Sequence, residues 1–167
     1  MFGKIYESTW WGNPTENWGN IYYDLANPIN LGSELLTNSD MSSVDWPWNH
    51  GSWSGITPTT DGDTASLTLT SDYPATNPRI EQTFVTEIGK TYRVDALVDG
   101  QGNAIQLLIV EDSTFTFIDS AELNTSGFEN ITFDFVATST STIIQILVKG
   151  ITGDVALVDN VSVKEIL

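Results

Sequence analysis

From residue 31 to the C-terminus the apolar residues recur every second position, and that spacing restricts the chain to strands. Arg79-Ile80-Glu81-Gln82-Thr83-Phe84 and Tyr92-Arg93-Val94-Asp95-Ala96-Leu97-Val98 alternate an inward apolar residue with an outward polar one. Ile131-Thr132-Phe133-Asp134-Phe135-Val136-Ala137 and the shorter Ser66-Leu67-Thr68-Leu69-Thr70 do the same. Two runs break the rule: Ile105-Gln106-Leu107-Leu108-Ile109-Val110 and Ile143-Ile144-Gln145-Ile146-Leu147-Val148 are nearly all apolar. Such runs read as strands covered on both faces, or as central strands at a packed interface. Turn formers tolerant of positive φ separate the runs: Asp61-Gly62-Asp63, Glu87-Ile88-Gly89-Lys90, Asp99-Gly100-Gln101-Gly102-Asn103, Ser126-Gly127 and Lys149-Gly150. About nine short strands with no helix predict an all-β fold, a sandwich or barrel.

The composition changes near Asn27-Pro28. Residues 1–30 hold Tyr6, Trp10, Trp11, Trp18, Tyr22 and Tyr23 among turn formers such as Gly12-Asn13-Pro14, whereas residues 31–167 are rich in threonine, serine, valine and isoleucine. The chain therefore reads as an N-terminal arm, 1–30, followed by one β-sandwich, 31–167. A tryptophan buries ~150–250 Å² when enclosed, worth up to about 4–6 kcal/mol at the usual area coefficient. A turn-rich arm cannot enclose so many rings by itself. They must pack on the sandwich, on a sister subunit or on another protein, and Trp10, Trp11, Trp18, Tyr22 and Tyr23 are the candidate docking residues.

Charge and rare residues exclude several functions. The formal charge is −16, from 22 acidic against six basic residues. Nucleic acid is a poor partner for such a chain, because phosphate binding needs clustered Lys and Arg, and anionic membrane surfaces are disfavoured for the same reason. There is no cysteine, which removes disulfides and thiolate chemistry. The one histidine, His50, removes any site needing two imidazoles. Residues 1–20 lack the apolar core of a secretory signal. No run approaches the ~18 apolar residues of a membrane span. The expectation is a protein made in the cytoplasm that leaves it, if at all, by another route.

No motif fixes an enzyme. Gly89-Lys90-Thr91 imitates the end of a phosphate-binding loop, but Phe84 stands where that loop needs its first glycine, so the segment reads as a hairpin turn. Carboxylates are plentiful, yet none is singled out as a glycosidase acid or nucleophile. A Ser–His–Asp set would have to recruit His50 from the turn-rich Pro47-Trp48-Asn49-His50-Gly51. The acidic turn holding Asp61 and Asp63, together with Asp159, is a candidate calcium site; its alternative is a plain β-turn beside a strand aspartate. Trp46, Trp48 and Trp53 form either a stacking platform for sugar rings or, for at least one of them, part of the core. For any single one the core is the stronger reading.

In order along the chain stand Leu35-Leu36-Thr37-Asn38-Ser39-Asp40-Met41, Trp46 to Trp53, Gly62 to Leu69, Ile80 to Phe84, Gly89-Lys90-Thr91-Tyr92-Arg93-Val94 and Val158-Asp159-Asn160-Val161-Ser162-Val163. This series resembles the carbohydrate-binding modules of families four, nine and twenty-two. Those modules open with an N-L-L-x-N-x-x-F strand, turn at G-K-T-Y into a long strand and close on D-x-V-S-V. The resemblance covers about residues 33–167 and implies a two-sheet jelly roll. It also implies a structural calcium held by Asp159 from the closing strand; Ser42 occupies the second usual ligand position, with Asp40 nearby. Such modules bind glycans through cleft aromatics, but the tryptophans near Trp46 also match the family's core tryptophan, so the resemblance assigns no cleft position. The arm, Glu7-Ser8-Thr9-Trp10-Trp11-Gly12-Asn13-Pro14 and Trp18-Gly19-Asn20-Ile21-Tyr22-Tyr23, looks like the short openings of bacteriophage virion proteins.

These readings converge on a non-enzymatic bacteriophage virion protein, a capsid-decoration (cement) or fibre subunit. It would be docked by its arm to a virion protein such as the major capsid protein. It is expected to be a homo-oligomer, a trimer among the options, with host-surface glycan as a further partner. Strands 105–110 and 143–148 are expected to contribute subunit contacts. The alternative is a glycan-binding module standing alone or serving a polysaccharide-degrading system.

Overall fold

Ten strands and no helix make up the described residues, 29–43, 48–49 and 55–167 of a computed structural model. They are β1 (Leu31–Glu34), β2 (Ile56–Thr60), β3 (Ala65–Leu69), β4 (Arg79–Val85), β5 (Thr91–Asp99), β6 (Ala104–Glu111), β7 (Phe117–Asn124), β8 (Glu129–Val136), β9 (Ser141–Lys149) and β10 (Val155–Ile166). One sheet runs β2-β3-β10-β5-β8, with β1 also paired to β10; the other runs β4-β9-β6-β7. Every pairing is antiparallel. The two sheets face each other as a jelly-roll sandwich, and Leu31–Leu167 form one compact unit. Almost all of the arm, including Trp10, Trp11, Trp18, Tyr22 and Tyr23, lies outside the described residues, as do Trp46, His50 and Trp53.

Strands β2 and β7 carry weak alternation for a reason that their places explain. Both are sheet edges. β2 contains Pro58, which removes a backbone donor and is tolerated at an edge. β7 buries none of its residues fully, and Asp119-Ser120 interrupts its apolar alternation. The opening strand also sits earlier than the Leu35–Met41 motif suggests. Glu34 Oε1 accepts the backbone N–H groups of Leu35 (3.1 Å), Leu36 (3.0 Å) and Val163 (2.9 Å), while Ser162 Oγ donates to Oε2 at 2.6 Å. Leu35 N–H is shared with the Val163 carbonyl at 3.0 Å, the last bond from this segment to β10, and the Leu36 N–H is left to the Glu34 carboxylate. Beyond it the chain turns, with Asn38 and Met41 both at φ 55°. The loop is held by Gln82, whose amide exchanges two hydrogen bonds with the backbone of Thr37, at 2.8 and 3.0 Å.

The closing strand β10 serves three partners. It pairs with β5 along one side, and with β3 and then β1 along the other. Its inward residues change parity on the way: Ala156 and Val158, then Val161 and Val163, are all buried. Between them one extra residue is inserted, since Asp159 faces Leu97 but Ser162 faces Asp95. Asn160, at φ 49°, takes up this bulge.

The core between the sheets is built from the alternating positions of β3, β4, β5, β6, β8, β9 and β10. Tyr92 stacks on Phe135 with ring centroids 5.4 Å apart, and Phe84 meets Phe135 edge-on. The Tyr92 hydroxyl accepts the Glu87 N–H at 2.8 Å and so anchors the turn that follows β4. That turn, which includes Gly89 and Lys90, crosses between the two sheets and does not close a hairpin as the sequence suggested, because β4 and β5 belong to different sheets. Trp48 is also in this core, 2 % exposed, with its indole N–H donating to the Asn38 carbonyl at 3.2 Å. Its expected role as a sugar platform is therefore corrected: it has no face to offer a ligand.

Each of the five described cations sits in an ion pair: Arg79 with Glu81, Lys90 with Glu87 and Glu165, Arg93 with Asp134, Lys149 with Glu122 and Lys164 with Glu34. Arg93 and Asp134 face each other directly across β5 and β8. Their two hydrogen bonds, at 2.8 and 2.9 Å, make the bidentate geometry that carries most weight among exposed pairs.

Replacing Trp48 by Ala should lower the unfolding free energy by roughly 3–5 kcal/mol, the usual cost of emptying a large aromatic site. Urea denaturation followed by far-ultraviolet circular dichroism reads this out. A loss below about 1 kcal/mol would show that Trp48 is not a core residue.

Candidate functional site

Strand β9 is buried on both faces. Ile144, Ile146 and Val148 point into the sandwich core. Ile143 (3 % exposed), Gln145 and Leu147 alternate with them and are buried on the opposite, outer side of the sheet. The two nearly all-apolar runs thus become the central strands β6 and β9 of the four-stranded sheet.

The outer face of that sheet gathers polar side chains in two rows. Register places Arg79, Leu147, Gln106 and Glu122 side by side across β4, β9, β6 and β7. The next row is Glu81, Gln145, Leu108 and Ser120. Gln145 Nε2 donates to Glu81 Oε2 at 2.8 Å, and Arg79 Nε donates to the same oxygen at 3.1 Å. Gln106 Nε2 donates to Ser120 Oγ at 3.2 Å. Each of these contacts fixes one end of a side chain and so pre-orients its remaining groups.

A loop from β3 to β4 walls this face. Tyr73 is held there by two neighbouring contacts: its N–H donates to the Gly150 carbonyl at 2.9 Å, and Asp72 Oδ1 accepts both the N–H and the hydroxyl of Thr152 at 2.7 Å. Glycine at 150 leaves room for the Asp154 carboxylate, since a Cβ there would lie 2.7 Å from Asp154 Oδ2. The Lys149 ammonium, paired with Glu122, sits 5.6 Å from the centroid of the Tyr73 ring. Together Tyr73, Asn77, Arg79, Gln106, Leu108, Gln145 and Leu147 line a groove of about 170 Å³. Its chemistry is amide, guanidinium and phenol over an aliphatic floor, which suits a ligand rich in hydroxyl groups with an apolar side.

None of these lining residues was singled out from the sequence as a site. A signal existed: Gln106 and Gln145 are the lone amides in the two nearly all-apolar strands. The four candidate calcium ligands are not brought together with others. Among the described residues no three His, Cys, Asp or Glu side chains are close enough to hold a metal ion. Asp61 Oδ1 instead accepts the N–H groups of Asp63 (3.1 Å) and Thr64 (2.9 Å), and Asp40 Oδ1 accepts the N–H and hydroxyl of Ser42. Asp159 lies half-buried on β10 opposite Leu97.

Solved structures share this architecture. A family-61 carbohydrate-binding module, solved in complex with β-1,4-galactotriose, matches with a TM-score of 0.60 at 18% identity, covering 79% of this chain and 98% of that one. A family-4 module matches with a TM-score of 0.55 at 19% identity, covering 71% of this chain and 84% of that one. The protein has the fold of a carbohydrate-binding module. The enzymatically active domain of tailspike protein 4 from bacteriophage CBA120 contains the same fold, with a TM-score of 0.56 at 16% identity. That match covers 80% of this chain but 21% of the tailspike domain. No protein-family model and no curated protein matches the sequence.

In this module fold Asp72 is a positioning residue for the wall of the groove. Hydrogen bonds from the Thr152 hydroxyl and N–H hold its carboxyl below the ordinary value of 3.8. A depressed folded value means stability that is fully present above pH 3.8 and lost as pH falls through the lowered value. The Asp72→Asn variant should therefore melt below the parent at neutral pH, and the gap should close as pH drops beneath 3.8. Thermal melts across an acid series check this; a gap constant with pH would show that the Asp72 charge contributes nothing.

Proposed function

We propose that the sandwich is a non-catalytic glycan-binding module whose binding surface is the outer face of the β4-β9-β6-β7 sheet. The observation that carries this reading is the convergence of Arg79, Gln106 and Gln145 with Tyr73 on one groove. A sugar presents hydroxyls that both donate and accept along its edges, and C–H groups on its faces. Amides answer the first with one donor and one acceptor each, and an aromatic ring answers the second. Arg79 and Lys149 are each paired with a carboxylate, so a neutral glycan suits the groove better than an acidic one. The shared fold with carbohydrate-binding modules supports the same assignment.

Affinity electrophoresis and calorimetry against neutral polysaccharides test this. Gln145→Ala and Arg79→Ala should each weaken a binder by about tenfold or more, the cost of losing one well-placed hydrogen bond to a charged or amide group. A broad glycan array without any binder would remove the reading. Incubation with the bound polysaccharide should release no new reducing ends, and their appearance would overturn the non-catalytic part.

The setting we propose is a virion, with the module as a capsid-decoration or fibre subunit that assembles through apolar contacts. The tailspike domain that contains this fold supports it. So does the distribution of exposed apolar side chains. Val85, Ile88, Phe115 (63 %), Phe117 (58 %) and Val136 are all exposed. They fall at one end of the sandwich, where β4, β6 and β8 finish and where Leu31 opens β1. An apolar end of this kind suits a sister copy or a particle surface. Removing residues 1–30 should abolish attachment to the particle and lower the solution mass by light scattering, with the sandwich still folded. An unchanged mass together with unchanged attachment would end the virion reading.

A further inference from the structure

A second groove lies on the opposite sheet, far from the face described above. It is the larger of the two, about 380 Å³, and runs over the outer side of β2, β3 and β10 toward the start of β8. Its floor is set by one row of the sheet, in which Thr59, Ser66 and Leu157 stand side by side. Phe128, 46 % exposed, closes one end. Thr64 and Asp61 close the other.

Some of the polar groups lining it are engaged and others are not. Thr60 uses its hydroxyl, donating to the Met41 carbonyl at 3.0 Å and accepting the Gly62 N–H at 3.1 Å. The hydroxyls of Thr59, Thr64 and Ser66 make no such bond among the described residues. Asp61 is anchored through Oδ1 alone by the N–H groups of Thr64 and Asp63, which leaves Oδ2 as an acceptor on a fixed carboxylate. The groove thus offers three hydroxyls and one carboxylate oxygen beside an aromatic ring and a leucine. No cation lines it.

We propose that this groove is a second glycan-binding site, selective for a neutral oligosaccharide. The ring of Phe128 and the side chain of Leu157 would take the C–H face of a sugar. The hydroxyls of Thr59, Thr64 and Ser66 and Asp61 Oδ2 would take its hydroxyl edge, the carboxylate accepting from two or more sugar O–H groups. The fixed negative charge of Asp61, with no lysine or arginine among the described lining residues to offset it, selects against uronates and other acidic sugars. The site stands independently of the one on the opposite sheet, because the two share no residue.

The test is a titration of the isotope-labelled full chain, followed by amide chemical shifts, with cellotriose, xylotriose, mannotriose and β-1,4-galactotriose, and with trigalacturonate as the acidic control. At least one neutral trisaccharide should move the amides of Ser66, Phe128 and Leu157, and should still do so in Gln145→Ala, which addresses the other face. Phe128→Ala should weaken that response by about tenfold or more. Phe128 is half exposed, so this variant keeps the parent's dispersed spectrum. The proposal is overturned if no neutral trisaccharide moves these amides, if shifts are confined to β4, β6 and β9, or if Phe128→Ala leaves the affinity unchanged. Trigalacturonate binding there as tightly as a neutral sugar would overturn the selectivity.

Discussion

The fold depends on one inserted residue in its last strand. A strand that kept strict alternation from Val155 to Ile166 could not point both Val158 and Val161 into the core, since they are three positions apart, an odd number. The bulge at Asn160 resets the parity, so that one continuous strand can join β3 at its first half and β1 at its second while holding β5 throughout. Glu34 then fastens the reset half. Its carboxylate reaches from β1 to the Val163 N–H and the Ser162 hydroxyl. Without the bulge, either Val158 or Val161 would face solvent, and β1 would have no register in which to close the sheet.

The other sheet solves a different problem. Its central strands β6 and β9 carry apolar residues on the outer face as well as the inner, which would ordinarily mark a surface to be covered. The amides of Gln106 and Gln145 are placed within that face, and each is tied to a neighbouring strand by its own hydrogen bond. An amide held at one end in an apolar surround presents its other end rigidly, at little further loss of side-chain freedom. Rigid polar groups over an aliphatic floor are what separate a binding face from a mere packing face.

Much of the fold was legible in the residues. Alternation located β3, β4, β5 and β8, the apolar runs located β6 and β9, and glycine-rich turns marked their ends. β2 and β7 were obscured because edge strands tolerate Pro58 and a polar face. The opening strand was placed too late because nothing in Leu35-Leu36 shows that the Glu34 side chain will take the Leu36 N–H. The groove was less legible. Arg79, Gln106 and Gln145 stand well apart in sequence, and they meet only because the strand order is β4-β9-β6-β7, which hydrophobic periodicity does not encode. Trp48 shows the converse: an eye-catching aromatic in a loop was drawn into the core, and the ring that walls the groove is instead Tyr73.

The pairing of the cations has a consequence for how the molecule meets acid. Because 22 acidic residues face six basic ones, most carboxylates must take up a proton before the net charge reaches zero. Each described cation is already held by a carboxylate, so the excess negative charge rests on the remaining acidic residues. Mutual repulsion between molecules therefore comes from acidic groups that no basic side chain offsets, and it fades as acid neutralises them. The ion pairs fasten neighbouring strands, while the unpaired surplus keeps separate molecules apart.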